Sequence, residues 1–301
     1  MSRPGRDVSG MNGLMRSFRR QCAALIATLV AALGLITPAL AQQVYAPRPW
    51  EMGMQRSGGP LKTEIIDLHD EVLVLITLIT LFVGGLLLWV MWRYNAKRNP
   101  TPSQTSHNTV IEVLWTVVPI LILVVMAIPS FRLVYYLDRT PDADLTVKVT
   151  AHQWYWEYSY PDKGNIDFSS YIVPDDQLKP GQLRLLTVDN DLVVPAGKNI
   201  RVLETSTDVI HSWFIPSFGV QEYAVIGRVN ESWFNVEREG TYYGECNQIC
   251  GVNHAFMPIK IVAMSKDAFQ RWLGEAQKKF AHNQPAEDAM RVAAVSAPAG
   301  N

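Results

Sequence analysis

The sequence predicts two fold classes in one chain: an N-terminal hairpin of two transmembrane helices and an exported all-β domain, either a sandwich or a barrel. Two charge-free apolar runs predict the helices. Short alternating segments separated by turn residues predict the strands. The charged fraction of 18% is low for a soluble protein of 301 residues, which also favours membrane content. The net charge of −1 says nothing about partners.

The first residues have the three parts of a secretory signal. Arginines between positions 16 and 20 form the positive start, Ala23 to Ile36 is an apolar core, and Ala39-Leu-Ala41 resembles a cleavage site. We therefore expect residues 1–41 to be a cleaved signal peptide, followed by an exported segment over 42–71. An uncleaved anchor helix is the alternative, and the A-x-A end disfavours it.

The two apolar runs are Val72 to Trp92 and Val113 to Phe131. Each has about 20 residues, enough for a helix to cross a hydrocarbon layer of about 30 Å. A buried helical hairpin in a soluble protein is the alternative. Tryptophans near the ends of the runs disfavour it, because tryptophan anchors helices at membrane interfaces. The sequence therefore predicts a transmembrane hairpin over residues 72–132.

The short loop between the runs carries Arg93, Lys97 and Arg98 and is net positive. Positive loops stay in the cytoplasm, so both termini and everything after about Arg132 should lie on the exported side. In a bacterium this arrangement places the β domain in the periplasm and the hairpin in the inner membrane.

Residues 140–265 read as the β domain, because segments rich in β-branched and aromatic residues end in turn residues. Predicted strands lie in DLTVKVTAHQWYWEYSY (144–160), QLRLLTVDN (182–190), NIRVLETS (199–206), RVNESWFNV (228–236) and GTYYGE (240–245). Apolar residues at helical spacing predict an amphipathic helix over 266–283. The segment 284–301 has few large apolar residues and predicts a disordered tail.

The stretch GECNQICGVNHAFMP (244–258) concentrates Cys246, Cys250, His254 and Met257. Three hypotheses compete for it. Exported cysteines usually pair, which favours a disulfide. Spacings of four, four and three would put all four side chains on one helical face. The third hypothesis is a metal-binding loop.

Gly251 and Asn253 inside the stretch weaken the helix, and a disulfide explains neither the histidine nor the methionine. Thiolates, imidazole and a thioether are the ligands that select copper. A single blue copper would need two histidines and one cysteine, so one thiolate here is surplus. Two thiolates can instead bridge two copper ions, and a second histidine must then come from elsewhere. We favour His211, at the end of a predicted strand in DVIHSWFIPSFG, although a histidine there could also be a hydrogen-bonded core residue.

This pattern, His211 with Cys246-x3-Cys250-x3-His254-x2-Met257, resembles the dinuclear copper centre of the cytochrome c oxidase subunit 2 family, of the bacterial aa3 type. AHQWYWEYSY (151–160) is similar to the family's aromatic segment, and the hairpin with IEVLWTVVPILIL is similar to its anchor. The resemblance covers roughly residues 60–275. It implies a cupredoxin-like Greek-key barrel or sandwich for the β domain.

The resemblance also implies roles for individual residues. Cys246 and Cys250 would bridge the two coppers. His211 and Met257 would complete one copper, and His254 with the backbone carbonyl of Gln248 would complete the other. The family's usual residue at position 248 is a glutamate that also binds magnesium shared with subunit 1, so Gln248 puts that magnesium in doubt. The stretch VQEYAVIGR (220–228) departs from the family pattern as well.

Two further residues gain roles from the resemblance. Trp154 would be the surface aromatic through which electrons enter from cytochrome c; an ordinary core tryptophan is the alternative. Glu112, at the cytoplasmic start of the second helix, would sit at the entrance of a proton path in subunit 1; an interfacial carboxylate is the alternative.

Acidic residues outnumber basic ones between Asp142 and Asp208, eleven to six. Such a field would steer a cationic cytochrome c, although any single carboxylate could equally belong to a solvated face. The candidates for a docking patch are Glu157, Asp162, Asp167, Asp175, Asp176, Asp189 and Asp208.

The family's function would make this chain an electron relay from cytochrome c to the haem of subunit 1, where oxygen is reduced to water and protons are pumped. Expected partners are subunits 1 and 3, cytochrome c and membrane lipid, and no nucleic acid. There is no Cys-x2-Cys-His haem motif, so the donor should be a separate protein. The alternatives are a copper-free quinol oxidase subunit 2, an electron-entry subunit of nitric oxide reductase type, and a membrane-tethered copper-delivery protein.

Overall fold

The structure, a computed structural model, describes residues 43–164 and 166–280. The predicted signal peptide and the predicted tail lie outside the described residues. The order of elements is a short strand, two long helices, a β domain and a final helix.

Helix α1 spans Pro60–Arg93 and helix α2 spans Thr109–Asp138. The apolar runs lie inside these longer helices. Both helices are long and apolar enough to cross a membrane, and no residue in the most apolar stretch of either is buried against protein. At the start of α2 the Asn108 side chain accepts hydrogen bonds from the main-chain amides of Val110 and Ile111.

The strands of the β domain follow, with β1 preceding the hairpin. They are β1 (Gln43–Tyr45), β2 (Leu145–His152), β3 (Tyr155–Tyr160), β4 (Ile166–Ser170), β5 (Leu192–Pro195), β6 (Asn199–Ser206), β7 (His211–Ile215), β8 (Val220–Ala224), β9 (Asn230–Asn235), β10 (Gly240–Cys246) and β11 (Pro258–Met264). Helix α3, Lys266–Phe280, ends the described chain and buries Phe269, Leu273 and Ala276.

The strands form two sheets. One has the order β5-β11-β10-β7-β8, with β1 beside the first half of β10, and the other has the order β4-β3-β2-β6-β9. Alternate residues of β3, β4 and β6 face inward, so that every second residue of these strands is buried. The core between the sheets is strongly aromatic; its fully buried side chains include Trp156, Tyr158, Trp213, Phe234 and Tyr242. A membrane hairpin followed by a β-sandwich confirms the predicted fold class.

Two local predictions were wrong. The segment 182–190 is not a strand: the main-chain amides of Leu186 and Thr187 both bond to the carbonyl of Leu183, so the chain turns there. Only an isolated bridge from Val188 to Ile172 remains of the predicted strand. The segment 144–160 is β as predicted, and it forms two antiparallel strands separated by a turn at Gln153 and Trp154. His211 begins strand β7 rather than ending one.

Candidate metal centre

The centre forms where two antiparallel strands meet. His211 is the first residue of β7 and Cys246 is the last residue of β10, and the register places Cys246 opposite Trp213. Gly244 allows the close approach of these strands, because a Cβ there would lie 2.1 Å from the carbonyl oxygen of Phe214. Residues far apart in sequence are thereby brought to one end of the sandwich.

The loop after β10 supplies the remaining side chains. It has no α-helix, only a short 3-10 turn at His254–Phe256 before β11, so the hypothesis of one helical face is wrong. The main-chain amide of Asn247 ties the start of the loop to the carbonyl of Ser212 on β7. Gly251 has a φ of 126°, a backbone conformation that favours glycine.

The predicted side chains converge on the two cysteines. The sulfurs of Cys246 and Cys250 are 3.8 Å apart, and both cysteines are free. A disulfide has its sulfurs about 2.05 Å apart, so the disulfide hypothesis does not describe this structure. Cys246 Sγ lies 3.9 Å from His211 Nδ1, and Cys250 Sγ lies 3.5 Å from His254 Nδ1 and 3.6 Å from Met257 Sδ. The Cys246 thiol also points at the carbonyl oxygen of Gln248, 3.2 Å away.

Burial shifts the pKa of two residues of this cluster, His211 and Cys250. Both cysteines, His211 and Met257 are buried. Burial and the neighbouring Cys246 raise the pKa of the Cys250 thiol to about 12. Burial also lowers the pKa of His211, although Asp208 opposes this. The Cys250 thiol therefore favours its neutral form, and a bound cation would have to displace its proton.

The donor set fits copper. Ligand atoms of His211, Cys246 and Cys250 lie within 4.8 Å of one another, close enough to share a metal. Two sulfurs from cysteine, two imidazole nitrogens and a thioether form a soft and borderline set, and such sets select copper over magnesium or calcium.

Hydrogen bonds from outside the cluster hold several of these residues, and sequence reasoning missed most of them. Asp208 Oδ1 lies 2.9 Å from His211 Nε2. Gln153 Nε2 and Trp154 Nε1 both donate to the carbonyl of Cys250, at 2.8 and 3.2 Å. Trp156 Nε1 donates to the carbonyl of Met257 at 3.0 Å. Two features of the sequence could have indicated these contacts. Asp208 lies three residues before His211, and Gln153 is a polar residue within the aromatic segment.

Trp154 and Glu112 occupy different parts of the chain. Trp154 is partly buried in the β2–β3 turn, with its indole against the metal-site loop. Glu112 lies in the first turn of α2, and its Oε1 accepts a hydrogen bond from the main-chain amide of Asn108 at 3.0 Å. This reciprocal cap gives Glu112 a structural task at the helix start.

The candidate docking acids divide into groups. Three are linked to residues that flank Trp154 in sequence: Asp208 accepts from the main-chain amide of Gln153, Glu157 is 3.3 Å from His152, and Asp189 accepts from the main-chain amide of Tyr171, whose ring stacks on Tyr155. Asp162 and Asp167 lie at the other end of strand β3. Asp175 pairs with Arg184 at 2.7 Å, and Asp176 is exposed beside it.

This fold and site define a class: a membrane-anchored β-domain protein with a site compatible with copper. Family models agree. The model described as "Cytochrome C oxidase subunit II, periplasmic domain" matches residues 145–264, and that described as "Cytochrome C oxidase subunit II, transmembrane domain" matches residues 47–133.

Individual proteins are similar as well. A probable cytochrome c oxidase subunit 2 of Rickettsia bellii is 48% identical over 238 residues, which cover 79% of this chain and 88% of that protein. Cytochrome c oxidase subunit 2 of Oenothera berteroana is 47% identical over 234 residues, 76% of this chain and 91% of that one. A crystal structure of the periplasmic domain of subunit II of cytochrome oxidase of Bradyrhizobium japonicum covers 48% of this chain and all of that one, at 49% identity and a TM-score of 0.45.

The chain belongs to the cytochrome c oxidase subunit II family. Members of this family are components of an oxidoreductase complex, so the protein is a membrane subunit that associates with other oxidase subunits.

Proposed function

We propose that this subunit holds a dinuclear copper centre that takes electrons from cytochrome c and passes them to the haem of subunit 1. Oxygen is reduced to water there, coupled to proton pumping. The observation that carries the proposal is the convergence of two unpaired cysteines, 3.8 Å apart, with His211, His254 and Met257.

Each copper would have its own terminal ligands. Cys246 and Cys250 would hold both coppers, His211 and Met257 would complete one, and His254 with the carbonyl oxygen of Gln248 would complete the other. When bound, a thiolate-bridged copper pair gains and gives up one electron at a time. The protein's part is to hold the ligands in place: the main chain fixes the loop at Asn247, and burial excludes water from both thiols.

Electrons enter through Trp154. Its indole N–H donates to the carbonyl of Cys250, so a short bonded route runs from the ring to the sulfur of Cys250. Asp208 and Glu157 contact residues next to Trp154 in sequence, and Asp189 is linked to Tyr155 through Tyr171; their charge would steer a cationic cytochrome c. The remaining acids, Asp162, Asp167, Asp175 and Asp176, would add to the long-range attraction.

The remaining parts of the proposal follow the family. The subunit crosses the bacterial inner membrane twice, with the copper domain and both termini in the periplasm, and it contacts subunits 1 and 3. Glu112 stands at the cytoplasmic entrance of a proton path, in addition to capping α2. Gln248 offers magnesium a neutral amide oxygen in place of a carboxylate, so any magnesium shared with subunit 1 is bound weakly.

The test is copper stoichiometry combined with electron paramagnetic resonance of the full chain purified in detergent. Two coppers per chain that share one unpaired electron equally are expected. His211→Ala should abolish this signal, whereas His152→Ala should keep it, because His152 is the β domain's other histidine outside the loop and is not among the proposed ligands.

Other results would point to the rival functions. One copper with a localised electron would favour a copper-delivery protein. No bound copper would favour the structural subunit of a quinol oxidase. A normal copper pair that is never reduced by cytochrome c, within a complex that reduces nitric oxide, would favour the nitric oxide reductase type.

A further inference from the structure

One main-chain carbonyl at the centre receives two hydrogen bonds. The Cys250 carbonyl accepts from Gln153 Nε2 at 2.8 Å and from Trp154 Nε1 at 3.2 Å. The partners are 97 and 96 residues apart in sequence, so these are tertiary contacts rather than features of a local turn. Both lone pairs of this carbonyl are therefore used by the β2–β3 turn.

Gly251 makes room for both donors. A Cβ at this position would lie 2.8 Å from Trp154 Cζ2 and 3.1 Å from Gln153 Nε2. Any side chain there would push the indole, the amide or both away from the Cys250 carbonyl. The loop and the turn thus fit together only with this glycine between them.

Gln153 also reaches the other side of the centre. Its main-chain amide donates to Asp208 Oδ2 at 2.6 Å, and Asp208 Oδ1 is 2.9 Å from His211 Nε2. One residue therefore contacts a bridging cysteine through its side chain and, through the Asp208 carboxylate, a terminal histidine. Among the described residues, the hydrogen bonds of Gln153 connect Cys250 and His211 without passing through a metal.

A surface glutamine is usually no more than solvated, and this side chain lies at the surface. What sets it apart is its acceptor, the carbonyl of a proposed copper ligand. Hydrogen bonds around a ligating cysteine tune the reduction potential of a copper site, and outer contacts orient the ligands. A donor at this carbonyl withdraws electron density from the ligand and favours the reduced centre.

We propose that Gln153 is a positioning residue of the copper centre: its side-chain amide fixes the peptide of Cys250 and raises the reduction potential, while its main-chain amide fixes Asp208 and hence His211. This inference rests on the proposed function, because it needs the copper pair to be present. It makes Gln153 and Trp154 act together, since both hold the same carbonyl.

The experiment uses the full chain in detergent, loaded with copper, and two variants that keep the main-chain amide. Gln153→Met removes the donor at nearly constant size. Gln153→Glu keeps the shape but places a negative oxygen near the Cys250 carbonyl. Gln221 is exposed on β8, an edge strand, so Gln221→Met is the matched control. The measurements are copper per chain, the paramagnetic spectrum, the reduction potential by redox titration and the unfolding temperature of the metal-free protein.

We expect the copper count to be unchanged and the potential to fall in the order wild type, Gln153→Met, Gln153→Glu, with altered copper hyperfine splitting. The control should match wild type. A potential and spectrum in both variants equal to those of the control would overturn the proposal. Loss of copper from both variants with an unchanged metal-free unfolding temperature would support it, whereas loss with a fallen unfolding temperature would overturn it in favour of a structural role. Absence of a shared copper pair in the wild-type chain would instead refute the proposed function.

Discussion

Asp208 Oδ1 lies 2.9 Å from His211 Nε2, while His211 Nδ1 faces Cys246 Sγ. Burial raises the pKa of Asp208, but the hydrogen bonds from His211 and from the amides of Val209 and Gln153 outweigh it, so the pKa lies below its ordinary value. An ionised carboxylate only accepts, so Nε2 must carry the proton and Nδ1 is left with its lone pair towards Cys246 Sγ, free to bind a metal.

Asp208 therefore orients His211, a proposed copper ligand, and this role is separate from any part in docking. We expect Asp208→Asn to lower copper affinity by about 10- to 100-fold, the usual cost of losing an outer carboxylate, as measured by competition with a chelator. Asp162→Asn, at the far end of β3, should leave affinity unchanged. If Asp208→Asn altered only the salt dependence of the reaction with cytochrome c, its role would be docking alone.

Trp154 should govern electron entry rather than copper binding. Trp154→Ala removes the ring and the hydrogen bond to Cys250, so reduction by cytochrome c should slow strongly while copper content stays the same. Trp154→Phe keeps an aromatic surface without the N–H and should give an intermediate rate. Stopped-flow reduction measures both. Trp233→Phe serves as the control, because its indole bonds to the carbonyl of Leu137 away from the site. Unchanged entry in Trp154→Ala would remove its assigned role.

Gly244 should be intolerant of a side chain. Gly244→Ala forces a methyl group against the carbonyl oxygen of Phe214, and overpacking of this kind costs about 1–3 kcal/mol of unfolding free energy. Copper loading should fall as well, because Cys246 lies two residues along the same strand. Gly274→Ala in α3 is the matched control. No atom lies within 4 Å of the added methyl, so the higher helix propensity of alanine should raise the unfolding free energy by about 1 kcal/mol. Chemical denaturation measures both changes, a decrease for Gly244→Ala and an increase for Gly274→Ala.

Glu204 should make the β domain less stable as the pH rises. It is fully buried on β6, Ser232 donates to its Oε1, and its Oε2 has no hydrogen-bond partner in the described part of the chain. Burial raises the pKa of Glu204 well above 4.5. A carboxyl whose pKa is higher in the folded state favours folding while it is protonated, and this advantage is lost as the pH rises from about 4.5 through the folded-state pKa.

Glu204→Gln should therefore match wild type in acid and become the more stable protein as the pH rises above about 4.5, measured by thermal unfolding across a pH series. Glu231→Gln should behave in the opposite way. The hydrogen bond and ion pair with Arg201 lower the pKa of Glu231, so ionised Glu231 stabilises the folded state at pH values above its ordinary pKa. Glu231→Gln should therefore lower stability at neutral pH. If the unfolding temperatures of wild type and Glu204→Gln changed with pH in the same way, Glu204 would not be a buried carboxyl with a raised pKa.

Much of the architecture could be predicted from local patterns. Charge-free runs of sufficient length have few explanations other than membrane helices, and NIRVLETS alternates so regularly that strand β6 has the predicted bounds. QLRLLTVDN alternates too, yet it folds as a turn, because alternation cannot show whether a neighbouring strand will be there to pair with it.

The candidate ligands of the centre could be predicted from their residue types, but the tertiary contacts around them could not. Cys246, Cys250, His254 and Met257 are close in sequence, and their chemistry indicated copper without any coordinates. The role of Gln153 was not predictable, since it depends on a tertiary contact between a turn and a loop. Asp208 was predicted for its charge, whereas the geometry gives that charge an internal partner.

The first strand has a consequence for how the molecule can be divided. β1 lies before the hairpin but pairs in parallel with β10, and Tyr45 stacks on Tyr242 with ring centroids 4.3 Å apart. The two helices are therefore an insertion within the β domain rather than a tether attached to its end. A soluble fragment cut from the chain after α2 would lose a strand and uncover an aromatic face, whereas replacing residues 60–138 with a flexible linker would keep the sheet whole.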